Sequence, residues 1–398
     1  MTDDRIVPVT MPKWGLSMQL GKVTAWAVAE GEDVKAGDDL ADIETEKISG
    51  TLEAADAGTV RRIIARVGED VPVSGTIALL APPGVSDADL DAAVAQARAV
   101  IDAGVPEDAA GAPELQTADV AGRKISFAGA GEDGDVVLFV HGFGGDRNSW
   151  LFLQEPLAAR FRAYALDLPG HGASAKDVGE GTLDVLADAV TGVLDALGAT
   201  RAHLVGHSLG GAVALAAAAR DPARIASLTL IAPAGFGTEI NVGYLRGFAD
   251  AQSRRELKPV VAQLFADEHL VTRQLIDDLL AYKRLDGVDE ALHTLLGVLL
   301  DGDEQGVNSA ALLTAAGGAK AGGTEAGGTE AGGTEAGGTG AVPVTVVWGR
   351  DDRVIPAAQA EAVTGADRHL IDRAGHMPHM ERPAEVQAAI EQTIARAT

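Results

Sequence analysis

The sequence predicts two folded domains of different class: a small all-β sandwich, followed by a larger α/β domain built on a largely parallel sheet. The chain has 398 residues, which is more than one domain usually needs. Residues 1–83 contain an internal repeat made of short alternating strands, which is typical of β structure. Beyond residue 121, apolar strand-like runs alternate with helical stretches, the pattern of a parallel sheet covered by helices.

The chain is strongly acidic and has no cysteine. It contains 32 lysine and arginine residues against 58 aspartate and glutamate residues, a formal net charge of −26. Such a surface repels phosphate backbones and anionic lipids, which argues against nucleic-acid and membrane binding. Without cysteine there is no disulfide, no thiolate zinc site and no cysteine nucleophile. The N-terminus lacks the basic and apolar segments of a secretion signal, so we expect a cytoplasmic protein.

The internal repeat organises residues 1–83. The tetrapeptide Gly-Glu-Asp-Val at residues 31–34 recurs 37 residues later, at residues 68–71. Two similar β-units predict two sheets related by a pseudo-twofold axis, with the connection between the halves forming an exposed hairpin. Lys47 lies in that connection. A lysine in a turn is ordinarily a solvated side chain, so its significance depends on its context.

The region from about residue 6 to 81 resembles a lipoyl domain. The resemblance is carried by Met-Pro-Lys-Trp-Gly at residues 11–15, by the Glu-Gly-Glu-Asp-Val turn that ends at Val34, and by the Glu-Thr-Glu-Lys sequence that ends at Lys47. It implies that Lys47 carries lipoate in amide linkage, on an arm that supplies the thiol which the sequence lacks. Biotin carriers share this architecture, but their lysine usually lies between two methionines, whereas Glu46 and Ile48 flank Lys47. The lipoyl alternative is therefore favoured.

Residues 84–120 have the composition of a linker. Alanine, aspartate, proline and glycine dominate, and between Val85 and Val120 there are eight acidic residues and one basic residue, Arg98. Like charges keep such a segment extended and solvated, so we expect a flexible acidic linker. The subunit-binding domain that dihydrolipoamide acyltransferases often carry in this position has no recognisable counterpart in the sequence.

The larger domain, residues 121–398, contains the pattern of an activated serine. Gly-His-Ser-Leu-Gly at residues 206–210 matches the G-x-S-x-G nucleophile elbow and stands between a strand-like run and a helical run, as that elbow requires. An acid and a base follow in the expected order, Asp351 or Asp352 first and His376 second. This set predicts acyl chemistry through a serine nucleophile.

With His-Gly-Phe-Gly-Gly at residues 141–145 and Trp-Gly-Arg-Asp-Asp at residues 348–352, the larger domain resembles the α/β-hydrolase superfamily. In that superfamily the acid usually falls four positions after the tryptophan, which favours Asp352 over Asp351. The resemblance implies that Ser208 is the nucleophile, His376 the base and Asp352 the acid. It also implies that the backbone N–H groups of Phe143 and Leu209 form an oxyanion hole.

Two segments of this domain and one further histidine complete the prediction. Helical periodicity between about residues 236 and 310 indicates, by the same resemblance, a helical cap that shapes the acyl pocket and excludes water. The Ala-Gly-Gly-Thr-Glu repeats within about residues 315–341 cannot form a core, so we expect a disordered loop there. His379 lies three residues after His376, and without a nearby carboxylate cluster we expect a rim histidine and no metal site.

The two domains together are more specific than either alone. A lipoyl arm carries acyl groups as thioesters, and a serine with a base and an oxyanion hole performs acyl transfer. The fusion resembles the acetyltransferase components of acetoin dehydrogenase complexes, in which a lipoyl domain is joined to an α/β-hydrolase domain. The resemblance implies transfer of acetyl from dihydrolipoyl-Lys47 to coenzyme A through Ser208. It also implies three partners: a thiamine-diphosphate-dependent acetoin dehydrogenase, a dihydrolipoamide dehydrogenase and a lipoate ligase.

Two alternatives stay open at the level of sequence. The same serine site with water as acceptor is a lipoyl-tethered thioesterase or esterase, because the elbow does not distinguish water from coenzyme A. The basic residues that could meet the phosphates of the coenzyme are few: Arg254, Arg255 and Lys258. The other alternative is a lipoyl carrier subunit whose hydrolase-like domain is catalytically idle.

Overall fold

The computed structural model describes residues 5–12, 20–44, 49–73, 75–104, 115–317 and 342–397. The chain divides into two compact units, Met1–Glu114 and Leu115–Thr398, each with its own hydrophobic core. No helix in the described ranges has the length and apolar content needed to cross a bilayer.

The first unit is a sandwich of two antiparallel sheets. Its strands are Val7–Thr10 (β1), Leu20–Trp26 (β2), Asp33–Val34 (β3), Asp39–Glu44 (β4), Ser49–Glu53 (β5), Gly58–Ile63 (β6), Asp70–Pro72 (β7) and Thr76–Leu80 (β8). They pair in the orders β1-β8-β6-β3 and β5-β4-β2-β7. Val23 and Ile43 from one sheet pack in the same buried cluster as Ile77 from the other. The sandwich that the sequence predicts is therefore present.

The 37-residue repeat forms the same turn twice. Gly31 and Gly68 both have positive φ angles, 92° and 85°, which glycine adopts without a steric penalty. In each copy the next residue, Glu32 or Glu69, accepts a hydrogen bond at 2.8 Å from the backbone N–H three positions earlier. The strands that these turns precede, β3 and β7, lie in different sheets. The repeat thus relates one sheet to the other.

A helix covers part of the segment that the composition marks as a flexible linker. Residues Asp87–Ala103 form α1, and the side chain of Ser86 caps its first turn. The buried face of α1 shares a hydrophobic cluster with the sandwich and consists of Leu90, Ala93, Ala97 and Ile101. Arg98 adds an ion pair with Glu69 at 2.9 Å.

The expectation of a flexible linker over residues 84–120 is therefore wrong for residues 87–103. The apolar face of the helix is thin, and half of its residues are alanine. This face packs on the surface of the sandwich, a contact that the sequence does not reveal. At the other end, β9 (Gln116–Val120) already belongs to the second unit. Residues 105–114, the rest of the segment, lie outside the described residues.

Leu90 provides a test of this helix. Its side chain is fully buried, so Leu90→Ala should cost about 2–5 kcal/mol of local stability and speed amide hydrogen exchange throughout α1. Val100→Ala, at a position that is 49% exposed, should leave the exchange nearly unchanged. If the α1 amides of the unmodified protein exchange as fast as those of an unfolded chain, the helix is not formed in solution.

The second unit is built on an eight-stranded sheet. Its strands after β9 are Arg123–Ala130 (β10), Val136–Val140 (β11), Arg162–Leu166 (β12), Ala202–His207 (β13), Ile225–Ile231 (β14), Val344–Gly349 (β17) and Asp367–Ile371 (β18), and a separate hairpin is formed by Leu300–Asp301 (β15) and Glu304–Gln305 (β16). The order is β9-β10-β12-β11-β13-β14-β17-β18. β10 runs antiparallel to both of its neighbours, the edge strand β9 and β12, whereas the six strands from β12 to β18 are parallel to one another.

Helices cover both faces of this sheet. They are Leu151–Ala158 (α2), Leu183–Ala196 (α3), Leu209–Arg220 (α4), Val242–Asp250 (α5), Arg254–Val261 (α6), Arg273–Lys283 (α7), Val288–Leu299 (α8), Ser309–Ala315 (α9), Pro378–Glu381 (α10) and Pro383–Ala395 (α11). Along β11, Leu138 packs in the cluster of α3 and α4, while Val137 and Phe139 pack in the cluster of α2 and α11. This is the predicted α/β architecture.

The helical insertion lies between β14 and β17. It comprises α5 to α8 with the β15–β16 hairpin, within the range of about 236–310 expected for a cap. The chain then returns to the core, because Ser309 donates a hydrogen bond to the Ala234 carbonyl at 2.5 Å and Leu313 packs in the main cluster. The loop predicted over about residues 315–341 falls mostly outside the described residues, since 318–341 are not among them.

Candidate active site

Ser208 lies in a tight turn between β13 and α4. Its φ is 53°, a left-handed conformation that is strained for a residue other than glycine. A Cβ on Gly206 would lie 2.4 Å from the Gly210 carbonyl oxygen, and one on Gly210 would lie 2.2 Å from the Val140 carbonyl oxygen. Both flanking positions therefore require glycine, which is the steric reason for the G-x-S-x-G spacing.

The carboxylate of Asp352 is buried and surrounded by donors. Its Oδ2 accepts hydrogen bonds from His376 Nδ1 at 2.8 Å and from Trp348 Nε1 at 3.1 Å. Its Oδ1 accepts the backbone N–H groups of Val354 at 2.8 Å and Ile355 at 2.9 Å. A carboxylate with these partners fixes the proton of the imidazole on Nδ1 and leaves Nε2 to act as a base. The tryptophan donor was not anticipated from the sequence.

The choice between the two aspartates can be tested by substitution. Asp352→Asn should lower kcat by about 10⁴-fold, because the amide stabilises the wrong imidazole tautomer. Asp351 is exposed, so Asp351→Asn should change kcat by less than about twofold, as ordinary surface substitutions do. Both variants would be assayed with the same thioester substrate; equal losses would contradict the assignment of the acid.

His207 supports the backbone of His376, and a third histidine, His379, packs beside His207. His207 Nε2 donates a hydrogen bond to the His376 backbone carbonyl at 2.8 Å, and the two rings are 4.7 Å apart. Burial, with the neighbouring histidines, holds the pKa of His207 well below its usual value, so this ring is neutral. His379 lies next to His207 and stacks on Trp150 with ring centroids 4.5 Å apart.

The expectation that His379 is a rim histidine is wrong. Its side chain is fully buried, and burial lowers its pKa to about 3. The aromatic ring of Trp150 covers it, a contact between residues more than two hundred positions apart that sequence spacing does not reveal. No group of three or more metal-ligating side chains occurs among the described residues.

Two neutral histidines shape the loop of residues 141–145. His141 Nδ1 donates to the Gly142 carbonyl while its Nε2 accepts the N–H of Leu168 at 3.0 Å. His171 Nε2 accepts the N–H of Gly144 at 3.1 Å. Burial lowers the pKa of His141 to about 4 and that of His171 to about 3. Because both rings stay neutral, each keeps a lone pair with which to hold the loop.

The same loop approaches the serine closely. A Cβ on Gly142 would lie 3.0 Å from Ser208 Cβ. The backbone N–H groups of Phe143 and Leu209 donate to no protein acceptor within the described residues. Phe143 follows Gly142 in the loop. Leu209 is the first residue of α4, where backbone N–H groups have no intrahelical partner. Two such donors beside a nucleophile are what an oxyanion hole requires.

A cavity of about 230 Å³ lies between these groups and the cap. Ser208 and His376 line it together with the 142–145 loop. The cap contributes mainly apolar side chains, among them Leu245, Phe248, Val261, Leu264, Phe265 and Leu279. Asp146 and Asp278 are the acidic residues on its walls, and within the described part of the chain no lysine or arginine lines it. The cavity thus suits an uncharged acyl group and a slender arm.

The basic residues of α6 lie outside this cavity. Val261 points into it, and Leu257 is buried beside it, whereas Arg254, Arg255 and Lys258 are on the exposed side of the helix. Arg254 also forms a hydrogen-bonded ion pair with Asp277. These three residues are therefore available only to parts of a ligand that remain outside the cavity.

Lys47 lies outside the described residues, so the structure gives no position for it. The strands on either side do pair: β4 and β5 are antiparallel, with Glu44 opposite Ser49. The four residues between them in the sequence include Lys47. Paired strands with a short connection fit the hairpin that a lipoyl attachment lysine requires, while the attachment itself stays a prediction.

Comparisons with known proteins agree with both units. The α/β hydrolase fold family matches residues 135–383, and the family of biotin-requiring enzymes, which includes lipoyl domains, matches residues 7–80. Among solved structures, a meta-cleavage product hydrolase from Pseudomonas fluorescens superposes with a TM-score of 0.58 at 21% identity, covering 71% of this chain and 98% of that one. At this identity the likeness establishes the fold alone.

Two curated relatives match almost the whole chain. One, from Cupriavidus necator, is 45% identical and covers 97% of this chain and 96% of its own length. The other, from Pseudomonas putida, is 43% identical and covers 96% of each chain. Both are named the dihydrolipoyllysine-residue acetyltransferase component of an acetoin cleaving system.

Proposed function

Because this chain belongs to the family of dihydrolipoyllysine-residue acetyltransferase components of acetoin cleaving systems, we propose that it transfers acetyl from S-acetyl-dihydrolipoyl-lysine to coenzyme A. The observation that carries the proposal is the match of both units, in one order, over 97% of the chain. The apolar cavity at Ser208 and His376 supports it, since both thiol substrates end in slender uncharged arms.

The proposed chemistry uses the chain's own residues in two acyl transfers. Ser208 Oγ attacks the thioester carbonyl carbon while His376 Nε2 takes the hydroxyl proton and Asp352 stabilises the resulting imidazolium. The N–H groups of Phe143 and Leu209 hold the oxyanion. When the carbon–sulfur bond breaks, His376 returns the proton to the departing sulfur. His376 then takes the proton of the coenzyme A thiol, whose sulfur attacks the acyl-serine, and Ser208 recovers the proton.

Lipoate in amide linkage to Lys47 would supply the thiol that delivers the acyl group. The chain itself has no cysteine, so a thiol carrier has to be attached or diffusible. The proposal includes a thiamine-diphosphate-dependent acetoin dehydrogenase, a dihydrolipoamide dehydrogenase and a lipoate ligase as partners, and a cytoplasmic location.

The decisive experiment follows both acceptors in one tube. Purified protein is mixed with S-acetyl-dihydrolipoamide and coenzyme A, and acetyl-CoA and free acetate are measured together. Acetyl-CoA in large excess over acetate is the expected result. Predominant acetate would mean that water is the acceptor, an alternative favoured by the absence of a cation on the described cavity walls. If neither acetyl-CoA nor acetate forms, the remaining explanation is that the protein is a lipoyl carrier without catalytic activity of its own.

A further inference from the structure

The side chain of Glu381, at the end of α10, joins two loops of the active site. Its Oε2 accepts the backbone N–H of Gly375 at 2.6 Å. Its Oε1 accepts the backbone N–H groups of Ala266 at 2.8 Å and Asp267 at 3.3 Å. A single carboxylate thus takes three hydrogen bonds from two segments that are more than one hundred residues apart in the sequence.

Each of these loops carries groups that the reaction uses. Gly375 directly precedes His376, the base. Ala266 directly follows Leu264 and Phe265, two side chains that form the cap wall of the cavity. The carboxylate of Glu381 therefore connects the segment of the base to the cap wall that faces the substrate. Glu381 itself does not line the cavity.

The two loops are also in direct backbone contact. A Cβ on Gly375 would lie 2.7 Å from the Leu264 carbonyl oxygen, 2.8 Å from the Ala266 nitrogen and 2.9 Å from the Phe265 carbonyl carbon. Such distances leave room only for glycine. A displacement of the cap loop is therefore transmitted to the backbone next to His376, because there is no intervening side chain to absorb it.

The charge of Glu381 is held at a cost. Burial raises its pKa, and the hydrogen bonds from Gly375, Ala266 and Asp267 only partly oppose that shift. A raised pKa means that folding disfavours the ionised form. Three backbone donors from two loops meet this half-buried carboxylate despite that penalty, which is consistent with a need to fix the geometry of the two loops.

We propose that Glu381 is a positioning residue that couples the cap wall at Leu264 and Phe265 to the base His376. We call the three hydrogen bonds of its carboxylate the Glu381 clamp. When the acyl arm occupies the cavity, the clamp sets the position of the base. The inference rests on the proposed function only in taking His376 as the base. It adds a residue that acts through other residues and touches no reacting atom.

The first test compares Glu381→Ala and Glu381→Gln with Glu385→Gln, an exposed carboxylate on the next helix. Misplacing a catalytic group by about 1 Å can cost about 10²-fold in rate. Glu381→Ala should therefore lower kcat for acetyl transfer by about 10- to 100-fold. Glu381→Gln should lose less, since one oxygen remains to accept, and Glu385→Gln should stay within about twofold. Unchanged kcat in Glu381→Ala would overturn the proposal.

The second test separates coupling from a merely structural role. Leu264→Ala is made alone and together with Glu381→Ala, and kcat is measured with S-acetyl-dihydrolipoamide and with p-nitrophenyl acetate, alongside melting temperatures. If the clamp couples wall and base, Leu264→Ala lowers kcat when Glu381 is present and changes it little when Glu381 is absent. Additive losses, or losses that follow the folded fraction, would overturn the coupling.

The ester substrate keeps the two proposals distinguishable. Its cleavage requires Ser208 and His376 but neither a lipoyl thioester nor coenzyme A. Should the protein fail to form acetyl-CoA, the effect of Glu381→Ala on ester cleavage would still support or overturn the clamp.

Discussion

Ser208→Ala should reduce acetyl transfer from S-acetyl-dihydrolipoamide to coenzyme A by at least about 10³-fold. Removal of the nucleophile from a serine–histidine site costs up to about 10⁶-fold in kcat, because the covalent route is lost and only binding and the oxyanion donors still contribute. The substituted side chain keeps its Cβ in the same turn, so the fold should be retained. Initial rates with both thiols, together with circular dichroism, would check the result.

A covalent intermediate gives an independent readout of the same prediction. With the acetyl donor present and coenzyme A omitted, the peptide containing Ser208 should gain the mass of one acetyl group, and the alanine variant should gain none. A fluorophosphonate probe should label the same serine. If Ser208→Ala retains full transfer, acetyl passes directly between the two thiols and the serine is not an intermediate acceptor.

Lys47→Arg should abolish acetyl-CoA formation from acetoin in the assembled system. Arginine keeps the positive charge but cannot form the amide to lipoate, so the acyl group has no attached carrier. A tethered arm works at millimolar effective concentration, and its loss should lower the rate by at least about 10²-fold. The assay that measures this is the acetoin cleaving system reconstituted with the dehydrogenase components that we propose as partners.

The same variant carries its own control. With free S-acetyl-dihydrolipoamide as donor, Lys47→Arg should transfer acetyl at the unmodified rate within about twofold, because the serine site belongs to the other unit. Lys35→Arg, a conservative change elsewhere in the first unit, should leave both assays unchanged. A Lys47→Arg protein that remains active from acetoin would contradict the attachment site.

The parts of the fold that depend on local patterns could be predicted from the sequence. Glycines at residues 31 and 68 and the alternating strands around them specify the repeated turn, and the serine elbow is specified by the glycines on either side of it. The order of Ser208, Asp352 and His376 predicts that they meet. The structure brings Asp352 and His376 to within 2.8 Å and places Ser208 and His376 on the walls of one cavity.

The two wrong predictions, and one contact that the sequence does not reveal, concern segments far apart in the sequence. Half of the buried face of helix α1 is alanine, so its amphipathic signal is weak and its partner surface decides whether it forms. The burial of His379 depends on Trp150. The position of Glu381 depends on a cap loop more than one hundred residues earlier. A charged residue five positions after the base has the pattern of an exposed helix end, and nothing local distinguishes it from one.

The backbone conformation of Ser208 creates a trade-off between thermal stability and catalytic activity at a single residue. Its φ of 53° costs about 1–2 kcal/mol in any L-residue that has a Cβ, and glycine would remove that cost. Ser208→Gly should therefore melt at a higher temperature than the unmodified protein while having lost its nucleophile. Selection for heat resistance alone would favour an inactive chain, so attempts to make this protein more robust should screen for turnover and stability together.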